Sequence, residues 1–191
     1  MNTVGQKMII VSAPSGAGKT TIVKHLLHTF PQLGFSISAT SRKLRPGETN
    51  GREYYFVDAE EFKTMIDTGK LLEWQEVYPG SYYGTQVSEI ERIATYGQIP
   101  VFDVDVVGGC NIKKFYGERA LSIFIQPPSI EELKKRLINR GTDTPETIQD
   151  RVAKAQYELG FAPKFDKVII NDHLEDAERE ALQILKTFLH K

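Results

Sequence analysis

Residues 13–20 read Ala13, Pro14, Ser15, Gly16, Ala17, Gly18, Lys19, Thr20: a small residue, four more, then Gly-Lys-Thr. Glycines at this spacing let successive backbone N–H groups converge on one concavity, where an anionic phosphate meets partial positive charge. Lys19 adds a full charge for β and γ phosphates, and the Thr20 hydroxyl suits Mg²⁺. The chemistry expected here is binding of a nucleoside triphosphate; Ala13 stands where glycine is more usual. Two acids, Asp103 and Asp105, follow in the apolar run 101–106. Read as one strand, that run projects both from the same face, at the end that borders the ligand crevice of a parallel sheet. An acid there holds Mg²⁺ or its water shell beside Thr20, and spacing alone leaves open which of the two is nearer.

Arginines fall in two groups: Arg42, Arg45 and Arg52, then Arg136, Arg140 and Arg151. Arg136 and Arg140, four apart, are expected to share a helix face. Two such groups beside one phosphate loop suggest two polyanions brought together. Two unit charges about 4 Å apart repel by roughly 4 kcal/mol at an effective dielectric near 20, and planar guanidiniums answer with paired hydrogen bonds. No His or Lys is placed as an obvious general base. An alcohol acceptor would need one, whereas a phosphate monoester, with a second pKa of about 6, is already largely ionised at neutral pH. The acceptor expected is therefore a nucleotide monophosphate.

The elements that position these groups alternate between short apolar runs and helix-period segments. Residues 8–11 form a compact run before the loop, and Ile22, Val23, Leu26, Leu27 and Phe30 recur at helical spacing after it. Runs 101–106, 121–125 and 168–170 are too apolar for one-sided strands, which predicts a parallel sheet covered on both faces. Helix starts are expected at Asp58 with Glu61, Ser88 with Glu91, Ser129 with Glu132, Asp172 with Glu175, and Thr144 with Pro145. Leu174, Ala177, Leu182, Leu185 and Leu189 give the last helix its apolar stripe. Two stretches break the alternation. Residues 35 to about 85 read as a small β-rich insert with one helix at 58–68. Residues 130–159 read as two helices with apolar stripes, Ile130, Leu133 and Leu137 on one and Ile148, Val152, Ala155 and Leu159 on the other, forming a helical flap.

At 191 residues the chain fits one domain with one or two excursions. With 24 basic and 25 acidic side chains its formal charge is −1, too balanced to grip a nucleic-acid backbone through a broad basic field. A single cysteine, Cys110, makes no internal disulfide. Neither a leader nor an apolar run of about 18 residues is seen, so no membrane association and a cytoplasmic location are expected. Cys110 reads as a packed thiol, His25 and His28 as a solvated pair, and Trp74 and the tyrosines outside the motifs as core.

The motifs together resemble guanylate kinase, over essentially the whole chain. They are SAPSGAGKT (12–20), SATSRKLRPGETNGREY (38–54), LEW (72–74), YYGT (82–85), DVD (103–105) and RLINRG (136–141). The resemblance implies a P-loop α/β/α fold with a parallel central sheet, a β-rich monophosphate-binding insert and a helical lid. In boundaries, this is a core of 1–35, 86–128 and 164–191, an insert of 36–85 and a lid of 129–163. It implies an ATP:GMP phosphotransferase, using dGMP as well, working with Mg²⁺ in purine nucleotide metabolism as a monomer or weak homo-oligomer. Arg42, Arg45, Tyr54 and Tyr83 would then hold the GMP phosphate, and Ser38, Glu73, Thr85 and Asp105 would read guanine. Guanine's N1–H and N2–H₂ are donors that a carboxylate such as Glu73 accepts, while hydroxyls donate to O6. Asp103 would stand near the metal with Thr20, and Arg140 and Arg151 would neutralise the triphosphate with Lys19 and Arg42. Arg136, Asn171 and Asp172 would lie on the ATP side. Val107 occupies a position that is usually glutamine in that family, and Ser81 one that is often asparagine. Two other readings are a kinase for AMP or a ribose bisphosphate, and a non-catalytic module that binds phosphorylated peptides. The first is opposed by the guanine set, the second by the intact phosphate loop.

Overall fold

The computed structural model describes residues 6–141 and 143–190. Residues 1–5, 142 and 191, which belong to the expected core and lid, lie outside the described residues. The first strand, β1 (Met8–Ser12), is buried along its whole length. Ile9 and Val11 pack into one apolar cluster, Met8 and Ile10 into another on the opposite face, as the two-residue period of a strand requires. The remaining strands are β2 (Leu33–Ser36), β3 (Ala39–Thr40), β4 (Tyr55–Phe56), β5 (Leu71–Tyr78), β6 (Ser81–Gln86), β7 (Ile99–Asp103), β8 (Ala120–Gln126) and β9 (Lys167–Ile170). The helices are α1 (Lys19–Thr29), α2 (Ala59–Asp67), α3 (Val87–Thr95), α4 (Val106–Tyr116), α5 (Ile130–Arg140), α6 (Pro145–Leu159) and α7 (Leu174–Leu189).

Five strands form a wholly parallel sheet in the order β2-β7-β1-β8-β9. One face is covered by α1, α7 and α5, whose Leu26, Leu185 and Leu133 share a cluster with Ile9, Val101 and Ile123. The other is covered by α3 and α4, through Ile90, Ile112 and Tyr116 against Met8, Ile10 and Phe102. This is the expected P-loop three-layer α/β/α arrangement with a parallel central sheet. The strand order changes direction at β1, so the carboxyl end of β1 opens onto the crevice where α/β sheets bind ligands.

A second sheet, β4-β3-β6-β5, lies outside the first and carries α2. Its small core is Ala39, Phe62 and Met65. Helices α5 and α6 form the other excursion, with Leu133, Leu137, Ile148 and Ala155 buried as their periodicity predicts.

Several local expectations are corrected. Strand β7 stops at Asp103, so Asp105 is not its same-face partner; instead Asp105 caps α4, accepting from Gly108 N–H at 2.7 Å. An aspartate is a preferred N-cap, and this preference ends the strand three residues early. Ser88 lies inside α3, which starts at Val87 with Gln86 as N-cap, and α7 starts at Leu174 after His173 rather than at Asp172. The caps at Asp58, Ser129 and Thr144 form as expected. Strand β9 is an edge strand with Val168 and Ile170 exposed, not one covered on both faces, and Leu174 is also exposed. Phe35 belongs to β2 of the parallel sheet. Of the aromatic residues expected in the core, Tyr116 is buried, whereas Trp74, Tyr78, Tyr96 and Tyr157 are exposed. Cys110 packs beside Phe124 and Phe165, and burial pushes its thiol pKa up. His25 faces Glu178 at 3.7 Å.

Candidate active site

The loop after β1 turns back through Gly16 and Gly18, at φ +92° and +94°, a left-handed conformation that favours glycine. Gly18 has a second constraint, since a Cβ there would collide with the Asn171 side-chain amide. That amide donates to the Ala17 carbonyl at 2.7 Å in a buried contact. Asn171, at the end of β9, therefore braces the loop from behind. From the other side, Leu133 and Leu137 of α5 pack close to Gly16. Ala13, Pro14 and Ala17 are buried while Ser15 stays partly open. The result is a braced rim that leads into the first turn of α1.

Lys19 opens α1. Its ammonium pairs with the Asp103 carboxylate and donates to the Val104 carbonyl at 3.1 Å. Thr20 follows and faces the same cleft as Lys19, Ala13 and Ser15. Asp103 and Asp105 both line that cleft, but from different elements, the first at the tip of β7 and the second at the head of α4. Ser12 Oγ donates to the Asp105 carbonyl at 3.0 Å and fastens this corner.

The opposite wall comes from the β-rich insert. Glu73 on β5 is 8% exposed and accepts from Thr85 Oγ1 at 2.6 Å. Burial raises its carboxyl pKa to about 7, with the Asp105 charge adding to the effect and the Thr85 hydrogen bonds opposing it. The head of α4 lies so near that a Cβ at Gly108 would overlap the Glu73 carboxylate. Ser38, Tyr54 and Tyr83 line the same wall, the two rings meeting edge to face at 5.8 Å. Burial drives the Tyr54 hydroxyl pKa to about 12, helped by Asp103. Arg42 sits behind Tyr54, its guanidinium 5.0 Å from that ring and 5.3 Å from Phe56. It forms a two-pronged pair with Glu48 at 2.7 and 2.6 Å, and this contact pulls the Glu48 carboxyl pKa down to about 2. Arg45 is exposed, with its backbone N–H on Glu48 at 2.8 Å. Arg52 is exposed and pairs with Glu53.

The helical excursion brings one of its three arginines into the cleft. Arg151 Nη1 donates to Ser15 Oγ at 2.6 Å, and Nη2 pairs with Asp143 at 3.1 Å. Arg151 Nε and Asp143 Oδ2 are buried with no partner, donor and acceptor capacity held beside the phosphate loop. Arg136 turns to the carbonyls of Asn171 and Asp172 at 2.9 and 3.3 Å. Arg140 ends α5, exposed and outside the cleft lining, so Arg136 and Arg140 do not converge on one anion here.

Sequence reasoning missed several lining groups. Lys154 and Glu158 face the cleft from α6, along with Gln75, Val77 and Tyr78 from β5. Burial raises the Glu158 carboxyl pKa to about 7, against the pull of Lys154. A helical spacing of three and seven from Arg151 was the available signal. Glu48 lay within the motif at 38–54, and Asp143 just after the motif at 136–141, in the inter-helix turn.

The cleft thus joins a phosphate loop, an acid-bearing strand end, a buried carboxylate and paired tyrosines. The guanylate kinase family model matches residues 5–191. The chain belongs to the guanylate kinase family. A guanylate kinase of Bacteroides fragilis is 60% identical over 183 residues, 96% of this chain and 90% of that one. One of Porphyromonas gingivalis is 52% identical over 186 residues, 97% and 99% of the two chains. The crystal structure of guanylate kinase from Anaplasma phagocytophilum superposes with a TM-score of 0.75 at 29% identity, covering 98% of this chain and 87% of that one. Guanylate kinases are ATP-dependent enzymes acting on GMP, and this chain is one of them by family. Among the described residues no helix is long and apolar enough to cross a membrane.

The donor set also fits the metal that guanylate kinases use. Thr20 and Asp103 offer only oxygen, and the described residues contain no cluster of three or more His, Cys, Asp or Glu. Mg²⁺ suits such a sparse set, because it keeps several waters and takes its other ligands from substrate phosphates.

Proposed function

We propose that the chain transfers the γ-phosphoryl group of ATP to GMP, and to dGMP, with the triphosphate on residues 13–20 and the guanine against Glu73. The observation that carries this is the buried Glu73 carboxylate facing the same cleft as Lys19. A carboxylate held by Thr85 accepts from guanine N1–H and N2–H₂, and Ser38 supplies a hydroxyl. Adenine has no matching donors on that edge and would leave the carboxylate unpaired, a mismatch worth on the order of 10⁴-fold.

In this reading an oxygen of the GMP phosphate attacks the γ phosphorus as the bond to the β-γ bridging oxygen breaks, giving GDP and ADP. Arg42, Arg45, Tyr54 and Tyr83 hold the acceptor phosphate, and Glu48 orients Arg42. Lys19 and Arg151 bear on the transferred group, Arg140 joining them as the lid closes, while Arg136 and Asn171 shape the ATP side. Thr20 and Asp103 hold Mg²⁺, with Asp105 completing that corner and contributing to the guanine side. Mg²⁺ would be held by Thr20 and Asp103 and would supply neutralisation of the phosphate charge there. No base is needed, because the acceptor is already ionised. Catalysis is then positioning and charge neutralisation, with the insert and lid excluding water. The segments 36–85 and 129–163 are assigned as insert and lid around the core, and the cytoplasm, where both nucleotides are available, as the place of action in purine nucleotide metabolism.

An ADP-release assay offering GMP, dGMP, AMP, UMP and ribose phosphates tests the assignment. GMP and dGMP should be turned over far faster than the rest. Turnover of AMP or a ribose phosphate at a comparable rate would overturn it, as would absence of turnover with every acceptor.

A further inference from the structure

Helix α6 carries two cations one turn apart, and their partners lie on different parts of the molecule. Arg151 reaches Ser15 of the phosphate loop at 2.6 Å. Lys154 reaches the insert, donating to the Val77 carbonyl at 3.3 Å with its ammonium 4.5 Å from the Tyr78 ring centroid. Glu158, one turn further along α6, lies 3.8 Å from the same ammonium. Carbonyl, ring face and carboxylate thus surround a group with three N–H donors and a full charge.

The receiving strand is shaped for this contact. Val77 and Tyr78 are neighbours, yet both line the cleft, which a regular strand does not allow. A register shift in the β5–β6 ladder between Glu76 and Tyr78 breaks the regular alternation at this point. Glu73 lies four residues before Val77 on β5, so both project to one face of the strand that reads the base.

We infer that Lys154 is a positioning residue that fastens the lid helix to the insert, coupling occupancy of the phosphate loop to occupancy of the monophosphate pocket. The inference rests on the functional reading above. A triphosphate that draws Arg151 onto the loop brings Lys154 against β5, because one rigid helix carries both. GMP that steadies β5 presents Lys154 with its carbonyl and ring. By linkage each nucleotide raises the affinity of the other by the same factor.

The test is calorimetric: dissociation constants of GMP with and without a non-hydrolysable ATP analogue, and the reverse, for the wild type, K154M, K154R and Y78L. The wild type should bind each nucleotide more tightly in the presence of the other. K154M should cut that coupling factor about fivefold or more, and Y78L should remove part of it. K154R, which keeps a cation over the ring, should retain most of it, and the constants for either nucleotide alone should move by less than the coupling. Unchanged coupling in K154M, or a loss that appears equally in the single-nucleotide constants, would overturn the inference. GMP turnover by the wild type is measured alongside. Its absence defeats the assigned acceptor, whereas turnover with coupling indifferent to K154M defeats only the latch.

Discussion

Glu73 sets its function against its stability. Its carboxyl pKa is raised from 4.5 to about 7 by burial, so the native state binds a proton that the unfolded chain has lost between those values. The resulting penalty is absent below pH 4.5, grows as pH rises through the window, and is complete above about 7, at roughly 3 kcal/mol. E73Q keeps an acceptor for Thr85 without the charge. Urea unfolding should therefore shift in its favour over the wild type by about 3 kcal/mol between pH 4 and pH 8. The same substitution should impair GMP turnover at least 100-fold while ATP binding is little changed. Because guanine's donors favour the ionised carboxylate, GMP binding near pH 7 should release a proton from Glu73. Calorimetry in buffers of different ionisation enthalpy should show this release reduced in E73Q. At Lys19, replacement by methionine should abolish turnover while the fold is kept, as activity and circular dichroism together would show. The phosphate loop was legible because it is a short run with its own chemistry, whereas the guanine set rested on the resemblance to guanylate kinase. Lys154 and Glu158 were not legible, because their meaning depends on where α6 packs.

Among elements, the approach of α4 to β5 decides the shape of the base pocket. Gly108 is where the two nearly touch, since a side chain there would displace the Glu73 carboxylate. G108A should raise KM for GMP about tenfold or more and leave KM for ATP within about twofold, in steady-state kinetics with each substrate varied. The alternation of strands and helices and the parallel sheet could be read from hydrophobic period with helix caps, and the β-rich insert from its Tyr, Phe and Gly content and short extended runs. The end of β7 could not. An apolar run continues past Asp103 in the sequence, but Val104 N–H turns back to the Val11 carbonyl at 3.3 Å and Asp105 begins a helix. Strand β9 was misjudged for a related reason. Val168 and Ile170 are as apolar as any core pair, and only the sheet order shows that their strand is an edge, where both stay exposed.

For the molecule as a whole, the two sheets must be held in a fixed relation while nucleotides pass between them. Glu89, buried on α3, supplies one joint. It accepts from Ile37 N–H at 2.8 Å and Tyr55 OH at 3.0 Å, and pairs with Arg92 at 2.8 Å. E89A would leave those donors without a partner and should lower unfolding stability by about 3 kcal/mol in urea titration. A second joint ties the beginning of the chain to a much later part. The phosphate loop rests on an amide 154 positions further on, Asn171 against Ala17, so a ribosome exposes the loop long before the group that braces it. A nascent polypeptide halted short of Asn171 should gain no protection from proteolysis by ATP, while one extended past it should. Nucleotide affinity in this chain is thereby a signal that synthesis has passed Asn171.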